Sequence, residues 1–176
     1  EVYAPDPAAG CRLIDALPGV LVGHPGAELL IVGQGPDRGR LEARAAARGI
    51  EDRVRFAGYL DAAALERAYA AADVFAMPCR EEAGGDTEGY GLVFLEAGLR
   101  GLPVLGGRTA GAAEAVVPGE TGVLVDGDDP AAVATGLRAL LDDPAAAAAM
   151  GRRGRARVEA AHLPEHHAGR LLEALR

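Results

Sequence analysis

The chain has 176 residues, 18 basic against 26 acidic side chains, a net charge of −8 and 49% apolar residues. It contains no Lys, Ser, Asn or Trp, so every basic side chain is Arg. That alphabet excludes a serine nucleophile, a lysine Schiff base and a P-loop lysine, and the acidic balance argues against a nucleic-acid partner.

The length fits one domain with a core of its own. Residues 1–10, EVYAPDPAAG, carry two prolines and no periodicity, and read as an extended lead-in. From Arg12 the chain alternates between amphipathic and short apolar stretches. A helix is expected over Arg12–Leu21, with Leu13, Leu17, Val20 and Leu21 on one face, and a strand over Glu28–Gly33. Next come a helix over Arg38–Arg48, a strand over Val54–Gly58, a helix over Ala62–Ala72 and a strand over Asp73–Met77. After a long loop, Pro78–Tyr90, the pattern predicts a helix over Leu92–Arg100, a strand over Pro103–Gly106, a short helix over Ala112–Val116 and a strand over Gly122–Val125. From Pro130 the alternation stops, and Ala131–Leu141, Pro144–Ala160 and Glu165–Leu175 read as successive helices. Near-continuous apolar strands between helices imply a doubly wound, Rossmann-like α/β fold, its parallel sheet covered on both faces, with helices at the C-terminal end. The division expected is a lead-in over 1–10, a ligand-binding domain over 11–160 and a C-terminal helix over 161–176.

Cys11 and Cys79 are spaced neither as a metal nor as a redox pair. No secretory signal is recognisable, and no apolar run approaches the ~20 residues that span a bilayer, so a reduced cytoplasmic setting is expected.

Open α/β sheets bind ligands at the carboxyl ends of their strands. Two places there have suitable chemistry. Gly33-Gln34-Gly35-Pro36 follows the first strand, but the third glycine of a dinucleotide fingerprint is replaced by Arg38. The second place is the stretch from Pro78 into the helix at Gly91. Gly89 and Gly91 free the backbone at a helix start, where unpaired N–H groups favour an anion such as a diphosphate. Glu88 precedes that turn, and Glu96 stands about 7 Å further along the helix axis. This spacing suits a nucleotide, with phosphates at the helix end and carboxylates accepting from paired hydroxyls. It equally suits a dipole partner followed by a solvated helix residue, and spacing alone leaves both open. His162 and His166, four apart but interrupted by Pro164, read as a surface face rather than metal ligands. Arg152, Arg153, Arg155 and Arg157 read as a solvated face, and Cys79 as a small buried residue at a strand end.

EGYGLVFLEA, with Glu88 and Glu96 separated by seven residues, resembles the E-x7-E motif of retaining GT-B glycosyltransferases of family 4. LLIVGQGP, DRVRFAGYL, AYAAADVFAMPCR and GLPVLGGRTAGAAEAVVPGETGVLVDGDD resemble that family's later strands and loops, in the family's order over residues 11–160. AMPCR followed by GGDTEGYG is most similar to the PimB-type mannosyltransferases of phosphatidylinositol mannoside synthesis, which use GDP-mannose.

The resemblance implies a donor-binding domain. Glu88 would be the catalytic-site carboxylate contacting sugar hydroxyls, and Glu96 would hold the ribose. The backbone around Gly89, Tyr90, Gly91 and Leu92 would hold the sugar and diphosphate; Gly33, Gly35, Tyr59 and Leu60 would border the base. It implies hexosyl transfer with retention, without metal or cofactor, to an acceptor such as a glycolipid at the inner face of the membrane. An N-terminal GT-B domain would be the partner. Between Gly10 and Cys11 the family carries a first central strand and a loop with Arg and Lys, neither of which is found here. The chain therefore reads as an incomplete donor half. The readings from other classes are a non-catalytic nucleotide-binding or interaction module and, disfavoured by Arg38, a dehydrogenase-type domain.

Overall fold

A computed structural model describes residues 7–79 and 91–161. Helix α1 (Pro7–Leu21) opens the fold. The helix thus begins within the segment expected to be an extended lead-in, and it runs unbroken through Gly10 and Cys11. Pro7 explains the early start: its fixed φ suits a first helical turn, where its missing N–H is not needed. Then follow β1 (Leu29–Val32), α2 (Arg38–Ala47), β2 (Val54–Gly58), α3 (Ala62–Ala71) and β3 (Phe75–Met77). The described chain continues with α4 (Leu92–Leu99), β4 (Val104–Gly107), α5 (Ala110–Ala115), β5 (Gly122–Val125), α6 (Pro130–Asp142) and α7 (Pro144–Ala161). Local chemistry starts several of these helices. The Asp61 carboxylate accepts from the Ala64 N–H at 2.7 Å and caps α3. Asp129 caps α6 through the Ala131 N–H, with Pro130 in the first turn.

All strand pairs are parallel. Among the described residues they form two sheets, β1-β2 and β3-β4-β5. Strand β4 has a neighbour on each side and is buried along its whole length. Its side chains alternate between two apolar layers. Leu105 joins the layer built by α1, α2 and α6, whereas Val104 joins the one built on α4 and α5. Helix α7 serves both, with Ala147 in the first layer and Val158 in the second.

Coverage of both faces, expected for every strand, holds for β4 and not for β1-β2. Leu29, Ile31, Val54 and Phe56 face the first layer, while Leu30 is 44% exposed and Arg55 lies in solvent. The VRFAG alternation of β2 has the polar-out pattern of a strand with one wet face.

Bare backbone sets the closest approaches. A Cβ on Gly107 would lie 1.8 Å from the Cys79 carbonyl oxygen, and one on Gly151 would lie 1.8 Å from that of Gly101. The Gly151 contact is where α7 meets the turn after α4. Nothing lies within 4 Å of a Cβ on Gly39 in α2. Gly151→Ala is therefore expected to lower the unfolding free energy by about 1–3 kcal/mol through overpacking. Gly39→Ala should raise it by up to about 1 kcal/mol. Urea unfolding of the two variants checks both signs.

Candidate functional site

The carboxyl ends of β1 and β2 meet through backbone. The Gly33 N–H donates to the Gly58 carbonyl at 2.8 Å, with φ of 124° at Gly33 and 66° at Gly58. Both angles lie where a side chain is disfavoured, so glycine is required at this junction. Gly35 has no such requirement, and open space lies where its Cβ would be. Beyond Gly58, Tyr59 is 67% exposed and Leu60 is half-buried. Arg38, at the sixth fingerprint position, donates to Glu42 at 2.8 Å and lies 5.7 Å over the Phe56 ring. A charged side chain anchored there replaces the close helix–strand packing of a dinucleotide-binding glycine.

The second group of residues is built on α4. Gly91 caps it in the left-handed region, φ 63° and ψ 38°, and as a glycine brings no side chain of its own to the first turn. A Cβ at Gly91 would lie 2.8 Å from the Gly111 carbonyl oxygen, so α4 begins in contact with the start of α5. Leu92, next in line, is 63% exposed. Among the described residues no side chain accepts from the first-turn N–H groups of α4, an arrangement that suits an anion.

Glu96 lies half-buried on the second turn of α4 and turns toward α3. The Tyr69 hydroxyl approaches its Oε2 at 3.5 Å. Arg100, one turn further on, donates to the Glu96 backbone carbonyl at 2.8 Å. Its guanidinium carbon lies 4.4 Å from the Tyr69 ring centroid, and its Nε donates to Glu66 at 3.0 Å. Burial, reinforced by the negative charge of Glu96, pushes the Tyr69 phenol up to about 12, although Arg100 opposes the shift. The hydrogen bond from Arg100 holds the Glu66 carboxyl below its usual range.

Of the residues singled out from the sequence, Gly33, Gly35, Tyr59 and Leu60 thus gather on β1-β2, and Gly91, Leu92 and Glu96 on α4. Glu88, Gly89 and Tyr90 lie outside the described residues, as do His162, His166 and the helix expected over Glu165–Leu175. The arginines of α7 are not simply a solvated face. Arg153 donates to the Glu120 carbonyl at 2.7 Å, Arg157 to that of Glu114 at 3.2 Å, and Arg155 pairs with Glu159 at 2.8 Å.

Sequence reasoning missed Tyr69 and Arg100, whose relation to Glu96 is tertiary. It also missed Arg108 and Thr109 at the carboxyl end of β4. With Ala113, Pro118 and Leu124 these two line an open cleft of about 430 Å³. The available signal was position, because both residues directly follow a strand ending in Gly106-Gly107.

Residues 11–157 match the family described as glycosyl transferases group 1. The chain belongs to this family. It is 46% identical over 149 residues to a GDP-mannose-dependent monoacylated alpha-(1-6)-phosphatidylinositol monomannoside mannosyltransferase of Corynebacterium glutamicum, covering 84% of this chain and 38% of that protein. Sucrose-phosphate synthase from Thermosynechococcus elongatus superposes with a TM-score of 0.79 at 33% identity, over 97% of this chain and 43% of that one. Anabaena HepE, solved in complex with UDP and glucose, superposes with a TM-score of 0.72 at 26% identity, over 82% of this chain and 38% of that one. The chain thus spans about two fifths of the length of these proteins. Among the described residues, no helix is long and apolar enough to cross a membrane.

The buried phenol gives this family member a measurable signature. Its folded value lies above the unfolded one near 10, so the stability tied to the neutral phenol is complete below pH 10. That contribution disappears as pH climbs toward 12. Alkaline titration of phenolate absorbance is expected to show a late step near 12 that is absent in Tyr69→Phe.

Proposed function

We propose that this chain is the donor-binding half of a retaining glycosyltransferase that moves a mannosyl group from GDP-mannose to an acceptor such as a glycolipid. The observation that carries the reading is the 46% identity to a GDP-mannose-dependent mannosyltransferase over 84% of the chain. The geometry agrees with it: a carboxylate stands one and a half turns into a helix that starts at a left-handed glycine, with no capping side chain among the described residues.

In this reading Glu96 accepts hydrogen bonds from the ribose hydroxyls. The first turn of α4, with Gly91 and Leu92, receives the diphosphate, and Gly89 and Tyr90 continue that cradle toward the sugar. Glu88 faces the sugar hydroxyls. Gly33, Gly35, Tyr59 and Leu60 border the base. When the bond from the sugar to the diphosphate breaks, negative charge grows on the departing phosphate. Fixed N–H dipoles at the helix start stabilise that charge, with no covalent protein nucleophile required. A chain without Ser or Lys can carry this chemistry.

The acceptor side belongs to a second, N-terminal domain, and the setting is the cytoplasmic face of a membrane, with peripheral attachment. We also propose that the family's first central strand, expected to be missing from this chain, has its place between β1 and β3. In a doubly wound sheet the strand leading into the first helix occupies that place, and the separation of β1-β2 from β3-β4-β5 supports it.

Calorimetric titration of the chain with GDP-mannose, UDP-glucose and NAD tests the donor. Saturable binding of GDP-mannose, weakened about tenfold or more in Glu96→Ala, is expected from the loss of hydrogen bonds to a charged group. Binding of NAD alone, or of none of the three, overturns the reading. The isolated chain is expected to give no mannosyl transfer. Detectable transfer to a phosphatidylinositol mannoside would show that no second domain is required.

A further inference from the structure

Glu96 reaches its neighbours on α3 through a chain of contacts that the sugar-transfer reading does not use. Tyr69 is 5% exposed, and its hydroxyl is the side-chain donor facing Glu96 Oε2, at 3.5 Å. The ring is fixed from two directions. On one side it lies 6.2 Å from the Phe75 ring of β3, which meets Phe94 of α4 edge-on at 5.9 Å. On the other, the Arg100 guanidinium covers it at 4.4 Å, itself fastened to Glu66 and to the Glu96 carbonyl. A carboxylate on a helix surface ordinarily samples several rotamers. Here a phenol held on both sides meets one of its oxygens and leaves the other free to accept from a ligand. An ordinary phenol, titrating near 10, is already a donor throughout the neutral range, and burial moves this one further from ionisation.

We propose that Tyr69 is a positioning residue for nucleotide binding: it orients the Glu96 carboxylate toward the ribose hydroxyls, with Arg100 and Glu66 clamping the phenol in place. The inference rests on the reading of Glu96 as the ribose carboxylate. A purely architectural Tyr69 would serve only the aromatic cluster, and Tyr69→Phe keeps that cluster while removing the hydroxyl. The two roles therefore separate in ribose dependence.

The experiment uses the full 176-residue chain as wild type, Tyr69→Phe, Glu96→Gln and the double variant. Calorimetry gives Kd for GDP and for 2′,3′-dideoxy-GDP, and thermal melting monitors the fold. Wild type is expected to prefer GDP. Tyr69→Phe should melt near wild type, weaken GDP about threefold to tenfold and leave the dideoxy ligand unchanged. In the Glu96→Gln background the same substitution should have no further effect on GDP. Equal weakening of both ligands, no weakening, or additivity with Glu96→Gln overturns the proposal. If wild type shows no preference for GDP over the dideoxy ligand, the ribose reading of Glu96 falls and takes this proposal with it. If Glu96→Gln abolishes the preference and Tyr69→Phe retains it, only the positioning role falls.

Discussion

Helix α1 is the element on which the described structure depends. The sheets β1-β2 and β3-β4-β5 share no hydrogen-bonded ladder among the described residues, so side chains must hold them in register. The helix packs on β1 and β3 as well as on α2 and α6. Its buried stripe, Leu13, Ile14, Leu17 and Val20, is the centre of the first apolar layer. Each such side chain contributes about 1.5–3 kcal/mol when fully buried. Polar ties fix the helix about its axis. Arg12 donates to the Pro78 carbonyl beyond β3 and to Asp128 beyond β5, at 3.3 and 2.7 Å. Asp15 receives Arg44 and Arg48 from the α2 side. Burial pulls the Asp15 carboxyl upward, but the two guanidiniums together outweigh it and hold the group below its usual range. Among the described residues α1 thus ties β1 to β3, and α4 is reached from there by way of β4, α5 and α7.

The elements themselves were legible because their signals are local. Apolar runs bounded by Gly, Pro or Asp marked the five described strands to within a residue or two. The early start of α1 was legible only in part. Pro5 and Pro7 suggested extended chain, yet Pro7 is a favourable first helical residue. The separation into two sheets was not legible, since strand order is a tertiary property. The wet face of β1-β2 was half legible, through Arg55 in an otherwise apolar strand.

At the candidate site, Glu96 and Gly91 stood out because their spacing along α4 is a property of one segment. Tyr69 and Arg100 did not. Tyr69 lies 27 positions from Glu96, and in sequence it is merely one apolar residue, with Leu65, of an alanine-rich helix. The arginines of α7 teach the same lesson. Periodicity describes them as a charged helix face, while Arg153 and Arg157 reach backbone carbonyls 33 and 43 positions away.

The glycines that admit Cys79 and Gly101 bear on how this chain can change. Its alphabet leans toward Ala, Gly and Arg, and glycine and alanine codons differ by a single base. Exchange between the two is thus a single step for such a gene. At Gly107, Gly127 and Gly151 that step drives a methyl into backbone oxygen, with separations of 1.8, 2.5 and 1.8 Å. Mutational drift can place alanine at open helix positions such as Gly39, but at these three positions it meets a steric wall.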